Sequence, residues 1–333
     1  MTVVYRSILT GLIAVIITLA GCGGGGGGTT LSGIGGTGKT ISGTITQFGS
    51  IFVNGVEYDI DNASFTVNDV SSPGLSQADL RIGMVVTLTG NDDGTVGVAS
   101  EVIYDNEITG PVSNLVASPG GTTLSFTVFD VNVVADVANT TFDNDNAPGF
   151  SFATLADGDI IEVSGLFDNS STLVASYIEK TDDLNLGSSE VEIKGTPVTG
   201  TDAGVGQSFI MNGITINILA GTDLSDLPGG RVTDAQFIEV KGTLVTASPA
   251  EINATSIELE GEGIGSDEGE ASIEGFVTEF NDNSDFKVSG QPVDATGATF
   301  EPAGLVLRND LHVEVEGLLV NGILIADEVK EEN

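Results

Sequence analysis

The chain has 333 residues, 10 of them Lys or Arg and 48 Asp or Glu, so its formal net charge is −38. A surface this anionic repels phosphate and has no counterions to release from it, which excludes ordinary nucleic-acid binding. A 40% apolar share with a mean hydropathy of +0.22 excludes a disordered acidic tail, while 46 Gly, no Trp and abundant Val, Ile and Thr favour strands and tight turns over helices.

At the N-terminus Arg6 precedes an apolar stretch from Ile8 to Leu19, which suits a signal-peptide core and falls short of the roughly 18 residues needed to span a bilayer. Leu19-Ala20-Gly21-Cys22 follows and resembles the bacterial lipobox, with the sole Cys at the expected distance. The resemblance implies cleavage before Cys22, lipidation of its thiol and loss of residues 1–21. Gly23, standing where Asp would be an inner-membrane retention residue, points to the outer membrane, on either face. Burial of acyl chains at about 0.8 kcal/mol per methylene would then hold the protein to the membrane. Residues 22–39 read as a Gly-rich flexible tether, opened by six consecutive glycines and reaching roughly 23 Å.

Gly33-Ile34-Gly35-Gly36-Thr37-Gly38-Lys39-Thr40 matches the phosphate-cradling P-loop pattern, but its context does not. Only tether precedes it, and Ile41-Ser42-Gly43-Thr44-Ile45-Thr46 alternates as a strand where a helix N-terminus should be. No nucleotide is expected.

Beyond the tether one order of features recurs four times. Each copy opens with Ile-x-Gly (Ile41-Ser42-Gly43, Ile108-Thr109-Gly110, Ile193-Lys194-Gly195, Ile273-Glu274-Gly275), with 67, 85 and 80 residues between successive glycines. Asn54-Gly55 and Asn212-Gly213 signal hairpin turns, whereas the second copy has Phe129-Asp130 and a weaker signal. Ser64-Phe65, Thr141-Phe142 and Thr299-Phe300 follow, with no counterpart in the third copy. A late strand ends in Gly90, Gly165, Gly242 and Gly317, where a sharp bend is expected. Alternation along it puts Glu162, Glu239 and Glu314 opposite the apolar face, as solvated rims. A closing strand completes each copy.

The predicted fold class is all-β: tandem small β-barrels, closed or partly open and OB-like, over 40–107, 108–183, 190–262 and 270–333, since closure removes aggregation-prone edges. The first two copies abut at Glu107-Ile108, which predicts a stiffer pair. This order of features, clearest from Gly43 to Val56, resembles the bacterial family called domain of unknown function 5666. The resemblance implies a repeat architecture and supplies no catalytic residues.

Phe142-Asp143-Asn144-Asp145-Asn146-Ala147-Pro148-Gly149-Phe150 resembles the calcium-linker motif of cadherins, which makes Asp143, Asp145 and Asn146 candidate Ca²⁺ ligands. Phe142 stands where that motif has Asp, and Asx-rich loops also cap their own turns. His312, between Asp310 and Glu314, is the sole imidazole and the one candidate for triad chemistry, but nothing resembles the G-x-S-x-G nucleophile elbow. Forty-eight acidic residues offer too many carboxylate pairs to assign glycosidase chemistry, and the absence of Trp disfavours sugar stacking. The expected function is a non-catalytic envelope lipoprotein, with no cofactor, displaying β modules as a scaffold or binding array. Its expected partners are the membrane, through the lipid, and an envelope protein or surface ligand. The alternatives are a Ca²⁺-dependent adhesin-like protein and a hydrolase using His312.

Overall fold

Short runs that alternate apolar with polar residues become strands throughout this computed structural model, which describes residues 38–261, 263–264 and 269–332. The predicted signal peptide, Cys22 and residues 22–37 of the tether lie outside that range. Among the described residues there is no α-helix, only two short 3-10 turns.

The strands fall into four segments. Segment I holds β1 (Lys39–Thr44), β2 (Ile51–Val53), β3 (Val56–Asp59), β4 (Val85–Asp92) and β5 (Val96–Tyr104). Segment II holds β6 (Ile108–Ala117), β7 (Thr123–Val128), β8 (Val131–Asp136), β9 (Asp159–Phe167) and β10 (Thr172–Asp183). Segment III holds β11 (Glu190–Gly195), β12 (Ser208–Met211), β13 (Ile214–Asp223), β14 (Ile238–Ala247) and β15 (Ala250–Leu259). Segment IV holds β16 (Gly269–Asp282), β17 (Asp285–Val288), β18 (Gln291–Asp294), β19 (His312–Val320) and β20 (Ile323–Glu331).

One pairing scheme recurs. The first strand of each segment pairs antiparallel with the fourth and the fourth with the fifth. The fifth runs parallel to the third, which forms a hairpin with the second. Pairing does not stop at the segment ends. β1 lies parallel to β16, with Thr40 opposite Ala271, which fuses segments I and IV into one 14-stranded sheet. β6 pairs with β11, with Ile108 opposite Ile193, which fuses II and III into an 11-stranded sheet.

The expected tandem of closed, OB-like barrels is thereby corrected: the strands are arranged as a β-solenoid of about five turns. The first strands of segments I and II each take a strand of another segment as a neighbour, while within segments II and IV the first strand also pairs antiparallel with the second. Apolar burial follows the same sharing. Segments II and III contribute to a single core running from Ile108 to Ile257, and Tyr177 of segment II sits in the core of segment I.

The late glycines mark the bends. At Gly90, Gly165, Gly242 and Gly317 the register with the closing strand shifts at a β-bulge. A Cβ on these residues would lie 2.6 Å from Val98 O, 2.2 Å from Val174 O, 2.4 Å from Asn253 O and 2.1 Å from Ile325 O, so only Gly lets the bent strands approach. The hairpins also share one turn. Asn54-Gly55, Phe129-Asp130, Asn212-Gly213 and Ser289-Gly290 all have positive φ at both residues, so Phe129-Asp130 turns as the Asn-Gly pairs do.

Candidate functional site

The glutamates expected as solvated rims are not rims, which corrects the sequence reading. Glu162 and Glu239 are buried, at 8% and 2% exposure, and Glu314 is half-buried. Alternation placed them opposite their own segment's core, as expected; that opposite face packs against other segments.

The densest of these joints lies among segments I, II and III. Asp69 comes from the turn after Ser64–Val67, Asp105 follows β5, Glu192 and Lys194 lie on β11, and Glu239 and Lys241 on β14. Lys194 donates to Asp105 Oδ2, with Glu239 Oε1 3.8 Å away. Lys241 donates to Asp69 Oδ2 and reaches Glu239 Oε2 at 3.3 Å and Glu192 Oε2 at 3.5 Å. Glu107 faces Lys194 from the β5–β6 connection. Five carboxyl groups thus meet two ammonium groups.

Burial pushes Glu239 far above the usual carboxylate range, and Glu192 and Asp105 push it further. Burial also raises Glu192. It opposes the charge on Lys194 and Lys241, but the surrounding carboxylates outweigh it and raise both. The joint holds charge in a place that would reject it unpaired. Beside it is a cavity of about 360 Å³ lined by Asn68, Thr109, Glu162, Glu192, Lys241 and other polar groups. Glu162 accepts from Tyr104 OH at 2.7 Å and Asn68 Nδ2 at 3.0 Å, and burial pushes its carboxyl up to about 7.

A second joint links segments I and IV. Asn54 Nδ2 donates to Ser42 O at 3.2 Å and Ser272 Oγ at 2.7 Å, and Ser272 Oγ donates to Glu314 Oε1 at 2.9 Å. Lys39, the lysine of the P-loop-like pattern, is buried in β1 with its Nζ 2.7 Å from Glu316 Oε1 and 3.3 Å from Asp92 Oδ2. His312 stacks on Phe276 at 4.9 Å, and its Nε2 is 3.0 Å from Glu274 Oε1. Glu274 also accepts from Thr44 N, at 2.6 Å. Despite burial, these partners hold its carboxyl below the usual range. Among the described residues no Ser hydroxyl is hydrogen-bonded to His312.

The candidate Ca²⁺ ligands lie at the joint of segments I and II. Arg81 donates to Asp143 Oδ2 and Asp145 Oδ2, both at 2.7 Å, and Tyr177 OH donates to Asp143 at 3.2 Å. Asn146 turns its amide nitrogen to Glu179. Asp143 and Asp145 are thus brought together on a guanidinium, while Asn146 is engaged by Glu179. Cys22, the predicted lipidation site, lies outside the described residues.

The sequence reading missed Asp69, Asp105, Glu192, Lys194, Glu239 and Lys241 as a group. One signal was present: two of the scarce lysines alternate with glutamates inside strands, in Glu190-x-Glu192-x-Lys194 and Glu239-x-Lys241. On a solvated face such pairs are unremarkable; only packing between segments gives them weight.

No curated protein matches the chain. Two stretches, residues 109–179 and 274–330, match the family model described as Domain of unknown function (DUF5666), which supports the family resemblance within segments II and IV.

Proposed function

We propose that this protein is a non-catalytic lipoprotein of the bacterial envelope, anchored to the outer membrane through acylated Cys22, whose four segments are copies of the family unit forming a stiff scaffold or binding array. The observation that carries this reading is where the cations go. Of the Lys and Arg among the described residues, all but Arg308 lie in ion pairs. Lys39, Arg81, Lys194 and Lys241 pair across segments. Half of the paired cations therefore join segments and the other half, Lys180, Arg231, Lys287 and Lys330, pair within their own, while the net charge of −38 leaves the molecule strongly anionic. One compact folded unit preceded by a Gly-rich sequence suits presentation of loops at a distance from lipid.

Metabolic labelling with an alkyne palmitate analogue, followed by outer-membrane fractionation, tests the anchor. The native chain should carry label and sediment with the outer membrane, and Cys22→Ser should do neither. Undiminished label in Cys22→Ser would refute acylation at this residue.

A further inference from the structure

The joint of segments I, II and III holds three carboxylates whose ligand oxygens converge. Asp69, Asp105 and Glu239 each offer one oxygen, and these lie within 4.8 Å of one another. They come from a turn, a strand end and a strand interior, so only the fold assembles them. Each lysine engages Oδ2 of its aspartate and leaves the other oxygen free. Asp105 Oδ1 and Glu239 Oε1 are buried and have no hydrogen-bond partner among the described residues.

Glu192 supplies a further observation. It is not one of the three, yet it is only 6% exposed, touches the Glu239 carboxyl and has its own buried Oε1 without a partner. Three buried acceptors without a hydrogen-bond partner, on Asp105, Glu192 and Glu239, thus lie beside the two ammonium groups, of which Lys194 comes no closer to Glu239 Oε1 than 3.8 Å; an unpaired buried acceptor is costly, and a cation would relieve it. Glu192 and Lys241 line the neighbouring cavity of about 360 Å³, so water can reach the edge of the cluster.

We propose that Asp69, Asp105 and Glu239 bind one hard divalent cation, Ca²⁺, at this joint, with Lys194 and Lys241 fixing the outer carboxylate oxygens. All the donors are oxygens, which hard cations prefer. Ca²⁺ holds ligands at about 2.3–2.6 Å and so spans up to about 5.2 Å between two of them, whereas Mg²⁺ at about 2.0–2.1 Å spans only about 4.2 Å. Oxygens within 4.8 Å of one another fall inside the Ca²⁺ span. The site is separate from the Asx loop at Asp143 to Asn146 and does not depend on the lipid anchor.

Calorimetric titration of the mature, chelator-washed protein with CaCl₂ tests the proposal, in about 150 mM salt so that diffuse condensation on the acidic surface is screened. One saturable equivalent per chain is expected, with a rise in melting temperature on binding. Glu239→Gln and Asp69→Asn, the latter at the exposed rim, should each weaken binding at least tenfold, and Asp145→Ala should leave it unchanged. Far-UV circular dichroism identifies folded variants, and Asp69→Asn serves if Glu239→Gln does not fold. Absence of a saturable equivalent would overturn the proposal, as would undiminished binding in the folded variants or loss of binding in Asp145→Ala alone.

Discussion

At Gly165 backbone chemistry decides whether a strand can bend. A methyl group there would sit 2.2 Å from Val174 O, a backbone atom that cannot swing aside, whereas at Gly221 the same methyl meets nothing within 4 Å. Gly165→Ala is expected to cost about 2–3 kcal/mol and Gly221→Ala to stay near neutral, measured by urea unfolding. Glu162 gives the pH dependence of a single residue. Its folded value is raised from the ordinary 4.5 to about 7, so the folded state holds the extra proton across that interval. Stability from this group is therefore complete below about 4.5 and falls as pH rises toward 7, by a total on the order of 3 kcal/mol. Glu162→Gln should flatten that part of the stability-against-pH curve, and an unchanged slope would show that the raised value is not realised.

Turns and first strands are fitted to each other at the scale of elements. The Gly of each Ile-x-Gly strand leaves room for the first turn residue of its own segment: a Cβ would lie 1.9 Å from Asn54 Oδ1 at Gly43, 2.4 Å from the Phe129 ring at Gly110 and 2.2 Å from Ser289 Oγ at Gly275. Asn54 then reaches past β1 to Ser272 of β16. Asn54→Ala loses two hydrogen bonds and puts at φ 52 a residue without the polar side chain that lets Asn tolerate the left-handed region, so it should cost about 2 kcal/mol in the same unfolding assay. The third segment shows how a missing motif is replaced. It has no Thr-Phe pair, but Thr222 Oγ1 donates to Ala254 O at 2.7 Å, as Thr140 Oγ1 does to Ala175 O at 2.6 Å. The hydroxyl that ties the middle of the segment to the closing strand persists although its neighbours differ.

For the molecule as a whole, sharing of sheets and cores predicts one cooperative unfolding transition. Tyrosine fluorescence and far-UV circular dichroism should give coincident curves, because segment II cannot leave without taking Tyr177 from segment I and breaking the β6–β11 pairing. Separate transitions would show that the segments are energetically independent. The net charge of −38 acts in the opposite sense, as self-repulsion across the surface. Raising NaCl from about 10 mM to about 300 mM should increase the melting temperature, since screening relieves long-range repulsion more than it weakens buried pairs such as Lys194 with Asp105.

Local signals were legible from the sequence: the Asn-Gly turns, the late glycines, the alternation that set Glu162 and Glu239 against the apolar face, and the all-β class. Each depends on backbone geometry or on a period of two, which neighbouring residues alone determine. What covers that polar face was not legible. Lys194 with Asp105 and Lys241 with Asp69 join residues 89 and 172 positions apart, and no local pattern says which segment packs on which. Strand pairing between β1 and β16 and between β6 and β11 decided that, turning expected barrels into a solenoid and expected rims into a buried ionic joint. Burial raises the cost of an unpaired charge and strengthens a paired one, so the same glutamates acquired a different chemistry once the segments closed over them.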